Sequence, residues 1–436
     1  MHRHLRATLW LGGLVAAAVA PPVLLLAPPG RHGTPPIAFA MALGYAALAF
    51  AGLQFLLTAR FRRLALPVGI DLVYYFHRYL AIGGLALATL HAAVVAWRQP
   101  ALAGLGSLPG PHVGAGILAW LVYALLVLVS LFRVRAGLHY DAWRRLHAAA
   151  AVVAFAATVG HAWGSGRYLQ GPGQRAVFAA AVLAWLALLV WVRVLRPALV
   201  ARRPWRVTAV RPEVERVWSV ALAPVGHPGL EFSPGQFAWI SVRVSPWAMR
   251  EHPFSIASSA ARPARLEFTV KERGDFTRLV GRLSAGERVF VDAPYGAFSV
   301  DRHADAPGFV FVAGGIGIAP VLSCLRTLAD RGDRRPLVLI YANDTLARAA
   351  HADELAALAA RLDLRVVHVL LDPPPGWAGE RGYVTREVLA RQLPAARSGF
   401  EYFVCGPTPM TALVEDGLAA LGVSVWHVRT ELFDLA

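Results

Sequence analysis

The chain has 436 residues, 56% of them hydrophobic, a mean hydropathy of +0.49 and a formal charge of +16. That is too apolar for a soluble protein of this length, and the apolar weight lies in residues 1 to about 200, so a membrane domain followed by soluble domains is expected. All but one of the 43 basic residues are arginine (Lys271 is the lone lysine), many of them beside apolar segments, which argues against nucleic-acid binding. The only two cysteines, Cys324 and Cys405, exclude a disulfide scaffold and a four-cysteine metal site, and no C-x-x-C-H run is present.

Six segments carry the roughly 20 apolar residues that crossing a bilayer takes: about 7–27, 37–58, 71–97, 113–132, 146–163 and 176–195. The first follows the basic "MHRHLR" as a signal peptide would, but its apolar run is long, so a retained helix is expected. The basic loops "TARFRRLALP", "FRVRAGLHYDAWRR" and "RVLRPALVARRPWR" alternate with weakly basic ones. This alternation puts the N-terminus and the whole C-terminal half in the cytoplasm.

The third segment, "LVYYFHRYLAIGGLALATLHAAVVAW", holds His77 and His91, fourteen residues apart. The fifth, "WRRLHAAAAVVAFAATVGHAWG", repeats the spacing with His147 and His161. Fourteen residues make about four helical turns, so each pair shares a face, separated by about 21 Å along the axis. The two helices run in the same direction, which levels His77 with His147 and His91 with His161. Facing imidazoles can hold a haem iron from both sides, and two stacked b-type haems would carry electrons across a core of roughly 30 Å. A single intramembrane histidine serves equally well as a hydrogen-bonder or proton relay. Two equal pairs on co-oriented helices favour haem, and the shortage of acidic residues in the spans, with Asp71 only at a helix entrance, speaks against proton transport. Arg78, Arg98, Arg144 and Arg167 read as interfacial anchors rather than propionate partners. His112 lies on the outer side near the second pair.

After "ARRPWRV" short alternating strands suggest a small antiparallel barrel, and from about 304 strands alternate with helices, as in a doubly wound α/β domain. The first strand of that domain runs into "VAGGIGIAP", where Gly314, Gly315 and Gly317, with Ile316, Ile318, Ala319 and Pro320, can bring backbone against a pyrophosphate at a helix start. A later strand ends in Cys405, Gly406 and Pro407, at the carboxyl edge where open α/β sheets bind ligands. For Cys405 taken alone, a buried structural thiol is the simpler reading.

"HPFSIAS", "GDFT", "GGIGIAP" and "CGP", in this order behind spans with paired histidines, resemble the NADPH oxidase and ferric reductase superfamily, whose soluble part is similar to ferredoxin–NADP reductase. The resemblance covers roughly residues 70–436. It implies a multidomain membrane protein: an all-α six-helix transmembrane bundle (1–200), an antiparallel β-barrel FAD domain (205–303) and a doubly wound α/β nucleotide-binding domain (304–436).

By the same resemblance, Phe254 would lie along the isoalloxazine and Ser255 would hydrogen-bond near its N5. His252, ahead of Pro253, stands where soluble relatives carry a phosphate-holding arginine. Lys271 opens the "KERGDFT" run, in which Gly274, Asp275, Phe276 and Thr277 would bind the FAD pyrophosphate. Cys405 would border the nicotinamide, and Glu431 and Phe433 resemble the family's terminal acidic residue and flavin-stacking aromatic, although Asp434, Leu435 and Ala436 follow here. Ser255, Cys405, Glu431 and Phe433 are thus the implied catalytic set. Asn343 and Asp344 stand where NADPH users place a basic or hydroxyl residue. Asp344 would repel a 2′-phosphate, Arg348 could offset it, and NADH is favoured over NADPH.

The implied function is electron transfer from cytoplasmic NAD(P)H through FAD and two b-type haems to an extracytoplasmic acceptor, at the inner membrane of a bacterium. The acceptor would be dioxygen, giving superoxide, or a ferric chelate. The alternatives are a membrane subunit that reduces a periplasmic redox protein, and a transporter or sensor with proton-relaying histidines.

Overall fold

The computed structural model describes residues 34–61, 70–99, 110–395 and 399–432, with scattered positions between 8 and 24. The chain divides into two compact units, residues 1–197 and 198–436. The first unit is helical: α1 Pro35–Thr58, α2 Ile70–Arg98, α3 Pro111–Phe132, α4 Tyr140–Ser165 and α5 Pro172–Val190, the last running through a π-helical turn into α6 Arg196–Ala201. Among the described residues five helices are long and apolar enough to cross a membrane, counting α5 and α6 as one. The remaining expected span, about 7–27, lies outside the described residues apart from scattered positions.

Helix starts follow backbone chemistry. α1, α3 and α5 each open on a proline, whose missing N–H has no intrahelical partner to lose in a first turn. α4 stops at Gly166, which takes a φ of +62° and so ends the helix without a Cβ clash. α1 packs on α2, and α3 on α4. Phe55 of α1, Phe155 of α4 and Trp185 of α5 meet edge to face at 5.1 and 5.5 Å. The Trp185 indole fills the space a side chain on Gly52 would need. Leu118, Leu121, Leu125 and Leu128 form an exposed stripe at helical spacing on α3, suited to lipid.

In the second unit an antiparallel sheet comes first: β1 Pro204–Val214, β2 Val217–Pro224, β3 Phe237–Val242, β4 His252–Ser255, β5 Leu266–Lys271 and β6 Arg288–Tyr295, in the order β4-β3-β6-β1-β2-β5. The sheet curls so that its edges touch at one bridge, Ile256 with Phe268, and the Ala257 N–H donates to the Glu267 carbonyl at 2.8 Å. It is therefore a half-barrel, with no continuous ladder between the edge strands. The short helix α7, Asp275–Val280, follows β5.

The chain then builds a parallel sheet, β7 Phe309–Gly314, β8 Leu337–Asn343, β9 Leu364–Leu370, β10 Glu380–Arg381, β11 Glu401–Gly406 and β12 Val428–Leu432, ordered β10-β9-β8-β7-β11-β12. Phe309, Phe311, Tyr341 and Phe403 belong to the layer under α8 Ile318–Asp330 and α9 Ala352–Ala359. Val310, Val312, Ile340 and Val404 belong to the layer under α10 Arg386–Gln392 and α11 Thr408–Ala420. Both faces are covered, which explains why these strands read as continuous apolar runs. Strand order reverses between β7 and β11, so the crevice of a doubly wound sheet opens there.

Candidate functional site

The two glycine-bearing turns come together at that reversal. A Cβ on Gly317 would collide with the Cys405 carbonyl, and one on Gly314 or Gly406 with Met410. Gly315 takes a φ of +52° in open space, leaving room for a ligand against the backbone. Tyr341 donates to the Gly315 carbonyl at 3.2 Å, and burial pushes its phenol well above the usual range, so the proton stays in place. Ile318, Ala319 and Pro320 are buried in the first turn of α8. Cys405 is fully buried in β11 and its neighbours Gly406 and Pro407 turn the chain into α11.

In the half-barrel, β4 pairs with β3 so that Ser255 faces Phe237 and His252 faces Ile240 across the ladder. The Phe276 ring of α7 has its centroid 4.0 Å from that of His252, tilted by 30°, and 5.7 Å from that of Phe254, stacked at 20°. Pro253 is tolerated because β4 is an edge strand. The Ser255 hydroxyl is buried and has no hydrogen-bond partner among the described residues. A buried hydroxyl without a partner is costly unless a ligand meets it. Thr277 accepts from the Arg273 and Gly274 N–H groups at 2.8 and 2.9 Å, which fixes the "GDFT" turn around Asp275. Lys271 ends β5 opposite Val217.

Glu431 stands on β12 in register with Cys405, and a Cβ on Gly296 would lie 3.4 Å from its carboxylate. The structure thus brings this acid to the junction of half-barrel and α/β domain. Phe433 lies outside the described residues. Asn343 ends β8, its carbonyl accepting from Leu371 at 3.1 Å. Asp344 is ion-paired with Arg348 at 2.9 Å, so the basic residue that could meet a phosphate is held by the acid beside it.

In the membrane unit the rings of His77 and His147 face each other with centroids 6.4 Å apart, and those of His91 and His161 at 6.1 Å. His91 donates through Nδ1 to the Ala40 carbonyl at 2.7 Å, and His161 to the His112 carbonyl at 2.8 Å. These bonds leave Nε2 of each ring as the lone-pair nitrogen. Four residues beyond each carbonyl stands a glycine, and a Cβ on Gly44 or Gly116 would come within 2.9 or 2.6 Å of the corresponding Nδ1. The hairpins α1–α2 and α3–α4 therefore repeat one device. Eighteen residues past Ala40 and His112 come Thr58 and Ser130, which both donate to the carbonyl four residues back. Ser130 then accepts from His147 Nδ1 at 3.2 Å. Trp143 lies 5.2 Å from His147. Sequence reasoning missed Gly44, Gly116, Ser130 and Trp143, since a glycine 47 residues before His91 and one 45 residues before His161 share no fixed spacing that a one-dimensional reading could pick out. Among the described residues no group of three or more His, Cys, Asp or Glu side chains could hold a bare metal ion.

Three family models match the chain in succession: a ferric reductase like transmembrane component over residues 43–158, an FAD-binding domain over 223–299 and an oxidoreductase NAD-binding domain over 311–416. Together they match the NADPH oxidase and ferric reductase superfamily with a ferredoxin–NADP reductase-like module, carried on a multi-pass membrane protein. The reductase component of propane 2-monooxygenase from Rhodococcus jostii (strain RHA1) is 34% identical over 226 residues, half of this chain and 60% of that protein. NADH-cytochrome b5 reductase 1 from Cryptococcus neoformans var. neoformans serotype D is 33% identical over 163 residues, 35% of this chain and 54% of that protein. The chain spans at most about 60% of the length of these curated relatives. A solved flavohemoglobin from Malassezia yamatoensis, with bound FAD and heme, is similar in fold, with a TM-score of 0.50 at 18% identity over 91% of this chain and 96% of that one.

Proposed function

We propose that the chain is a transmembrane oxidoreductase that draws electrons from NAD(P)H at the C-terminal unit and delivers them, through FAD and two b-type haems, to an acceptor on the far side of a bacterial inner membrane. The observation that carries this reading is the pair of facing histidine couples at 6.4 and 6.1 Å. Two imidazoles bound end-on to one iron, with metal–nitrogen bonds of about 2 Å, would bring ring centroids about 6 Å apart. The backbone carbonyls that take the His91 and His161 Nδ1 protons fix the tautomer a metal ligand needs. A haem asks for only two protein ligands, so the lack of larger metal clusters among the described residues is no obstacle.

The chemistry these groups supply when bound is hydride acceptance by FAD and single-electron transfer by haem. The chain's own residues do the positioning. Ser255 offers a buried hydroxyl donor, Phe276 packs with His252 and Phe254 as an aromatic wall, and the Arg273–Thr277 turn, held in shape by the Arg273 and Gly274 N–H groups on Thr277, would flank a pyrophosphate. Gly315 leaves open space for the nucleotide, Gly314 and Gly317 let the turn pack closely on Met410 and Cys405, and Glu431 sets an acid at the domain junction. Asp344, by its charge, favours NADH over NADPH. Short outer loops leave dioxygen or a ferric chelate as the fitting acceptor. A membrane subunit reducing a periplasmic protein remains the second reading, because the propane monooxygenase reductase is itself named as a component of a larger enzyme.

The test is a reduced-minus-oxidised spectrum of detergent-purified, FAD-supplemented protein under anaerobic conditions, driven by NADH and then NADPH. A nucleotide-driven b-type signal is expected. Protein that binds no haem in either histidine pair would defeat the reading.

A further inference from the structure

The half-barrel and the α/β domain also meet along a second cleft of about 210 Å³, none of whose lining residues belongs to the nucleotide crevice. Its walls are the segment after β4, the start of β5, the C-terminal half of α8 and the α9 region. Four arginines face three carboxylates there, leaving a positive excess.

The carboxylates are already occupied. Glu267, whose side chain is 2% exposed, receives Arg326 at 2.8 Å, Arg211 at 3.0 Å and Arg265 at 3.3 Å. Asp330 takes a two-pronged contact from Arg262 at 2.8 and 2.9 Å, and Glu354 one from Arg326 at 2.6 and 2.7 Å. These acids make a poor cation site. They act instead as struts that hold guanidinium groups in place.

Arg265 and Arg361 meet their partners through one terminal nitrogen each, at side-chain exposures of 53% and 54%, so the rest of each fork is open to a ligand. Ser258 lines the same cleft, and its hydroxyl has no hydrogen-bond partner among the described residues although the residue is only 5% exposed. Two guanidinium groups with open N–H positions and an unmet buried hydroxyl in one cleft are the donor types that a tetrahedral oxyanion takes.

We propose that this cleft binds a small oxyanion, a phosphate or phosphomonoester, through Arg265, Arg361 and the Ser258 hydroxyl, and so tightens the junction of the two domains. The seam already carries direct contacts that such a ligand would reinforce. Ser323 donates to the Ser258 carbonyl at 2.8 Å, the Ala260 N–H donates to Thr327 at 2.8 Å, and Arg326 donates to the Ala257 carbonyl at 2.9 Å.

The experiment is thermal unfolding of the full-length, FAD-loaded protein in detergent, titrated with inorganic phosphate, with glycerol 3-phosphate, and with chloride at matched ionic strength. At tenfold its dissociation constant, the bound anion should raise the transition by about 3–6 °C over chloride. A response to phosphate alone names the free anion as ligand, and a stronger response to glycerol 3-phosphate names the ester. The Arg265→Gln/Arg361→Gln double variant should lose the shift. Ser258→Ala removes a hydroxyl that has no partner, so it should leave the unliganded transition nearly unchanged and weaken phosphate binding several-fold. No shift beyond chloride overturns the proposal, and so does a shift that survives both variants, since the anion would then sit elsewhere.

Discussion

The membrane unit and the C-terminal unit hold their polar side chains by different means. His91 and His161 rest on main-chain carbonyls of a neighbouring helix, each with a glycine four residues on to admit the ring. Arg326 in the C-terminal unit is instead held by the carboxylates Glu267 and Glu354 and by only one carbonyl. Inside a bilayer, further ionised partners would carry a desolvation cost that few contacts offset, and a carbonyl is the acceptor already present. At a domain seam reached by water, charged pairs can be solvated at their edges and set geometry through two-pronged contacts. A histidine held by a main-chain acceptor can be displaced by a change on the adjacent helix. A charge network fails instead when one of its own members is removed.

The largest effect expected from breaking this contrast is on the membrane side. His91→Ala or His161→Ala should remove about half of the b-type absorbance, and Gly116→Ala, which pushes a methyl towards His161 Nδ1, should lower haem content at the same site without touching a ligand. Retention of full absorbance in all three would break the comparison at its root. On the other side, Arg326→Gln leaves Glu267 buried with weaker partners and should cost about 3–5 kcal/mol, read as a lowered unfolding transition.

Acid should act on the same network. Burial pushes the Glu354 carboxyl upward, but His351 and Arg326 hold it down at about 2, well below its ordinary 4.5. A depressed carboxyl stabilises the fold fully above about pH 4.5, and that contribution is lost as pH falls towards 2. Unfolding followed against pH should therefore show a steeper acid loss in wild type than in Arg326→Gln, where part of the contribution is already gone.

A smaller effect falls on the nucleotide. Asp344→Ala should raise the NADPH to NADH ratio of kcat/KM roughly tenfold by removing a like charge and freeing Arg348. Smallest of all, Arg391→Gln breaks an exposed pair with Glu380 and should change stability by less than about 1 kcal/mol, which sets the scale for Arg326.

Much of this arrangement was legible from residue order. Four-turn spacing levels His77 with His147 and His91 with His161 because helix geometry is local and rigid. The five described spans were readable from apolar runs, and the two faces of the parallel sheet from unbroken Val, Ile and Phe strands, because burial leaves a one-dimensional imprint. The glycine turns were visible for the same reason, each lying between a strand and a helix.

The sequence by itself therefore determined the elements, their chemistry and the faces they bury. Tertiary structure alone decided which distant groups became partners. It supplied the Ala40 and His112 carbonyls for the histidines, the Phe276 ring packed with His252 and Phe254, and Cys405 against Gly317. It also left the curled sheet as a half-barrel and gathered Arg265, Arg361 and Ser258 around one cleft. Such contacts join residues from about twenty to about a hundred positions apart, and their choice depends on how whole helices and sheets pack. Neither hydrophobic period nor residue spacing encodes that packing.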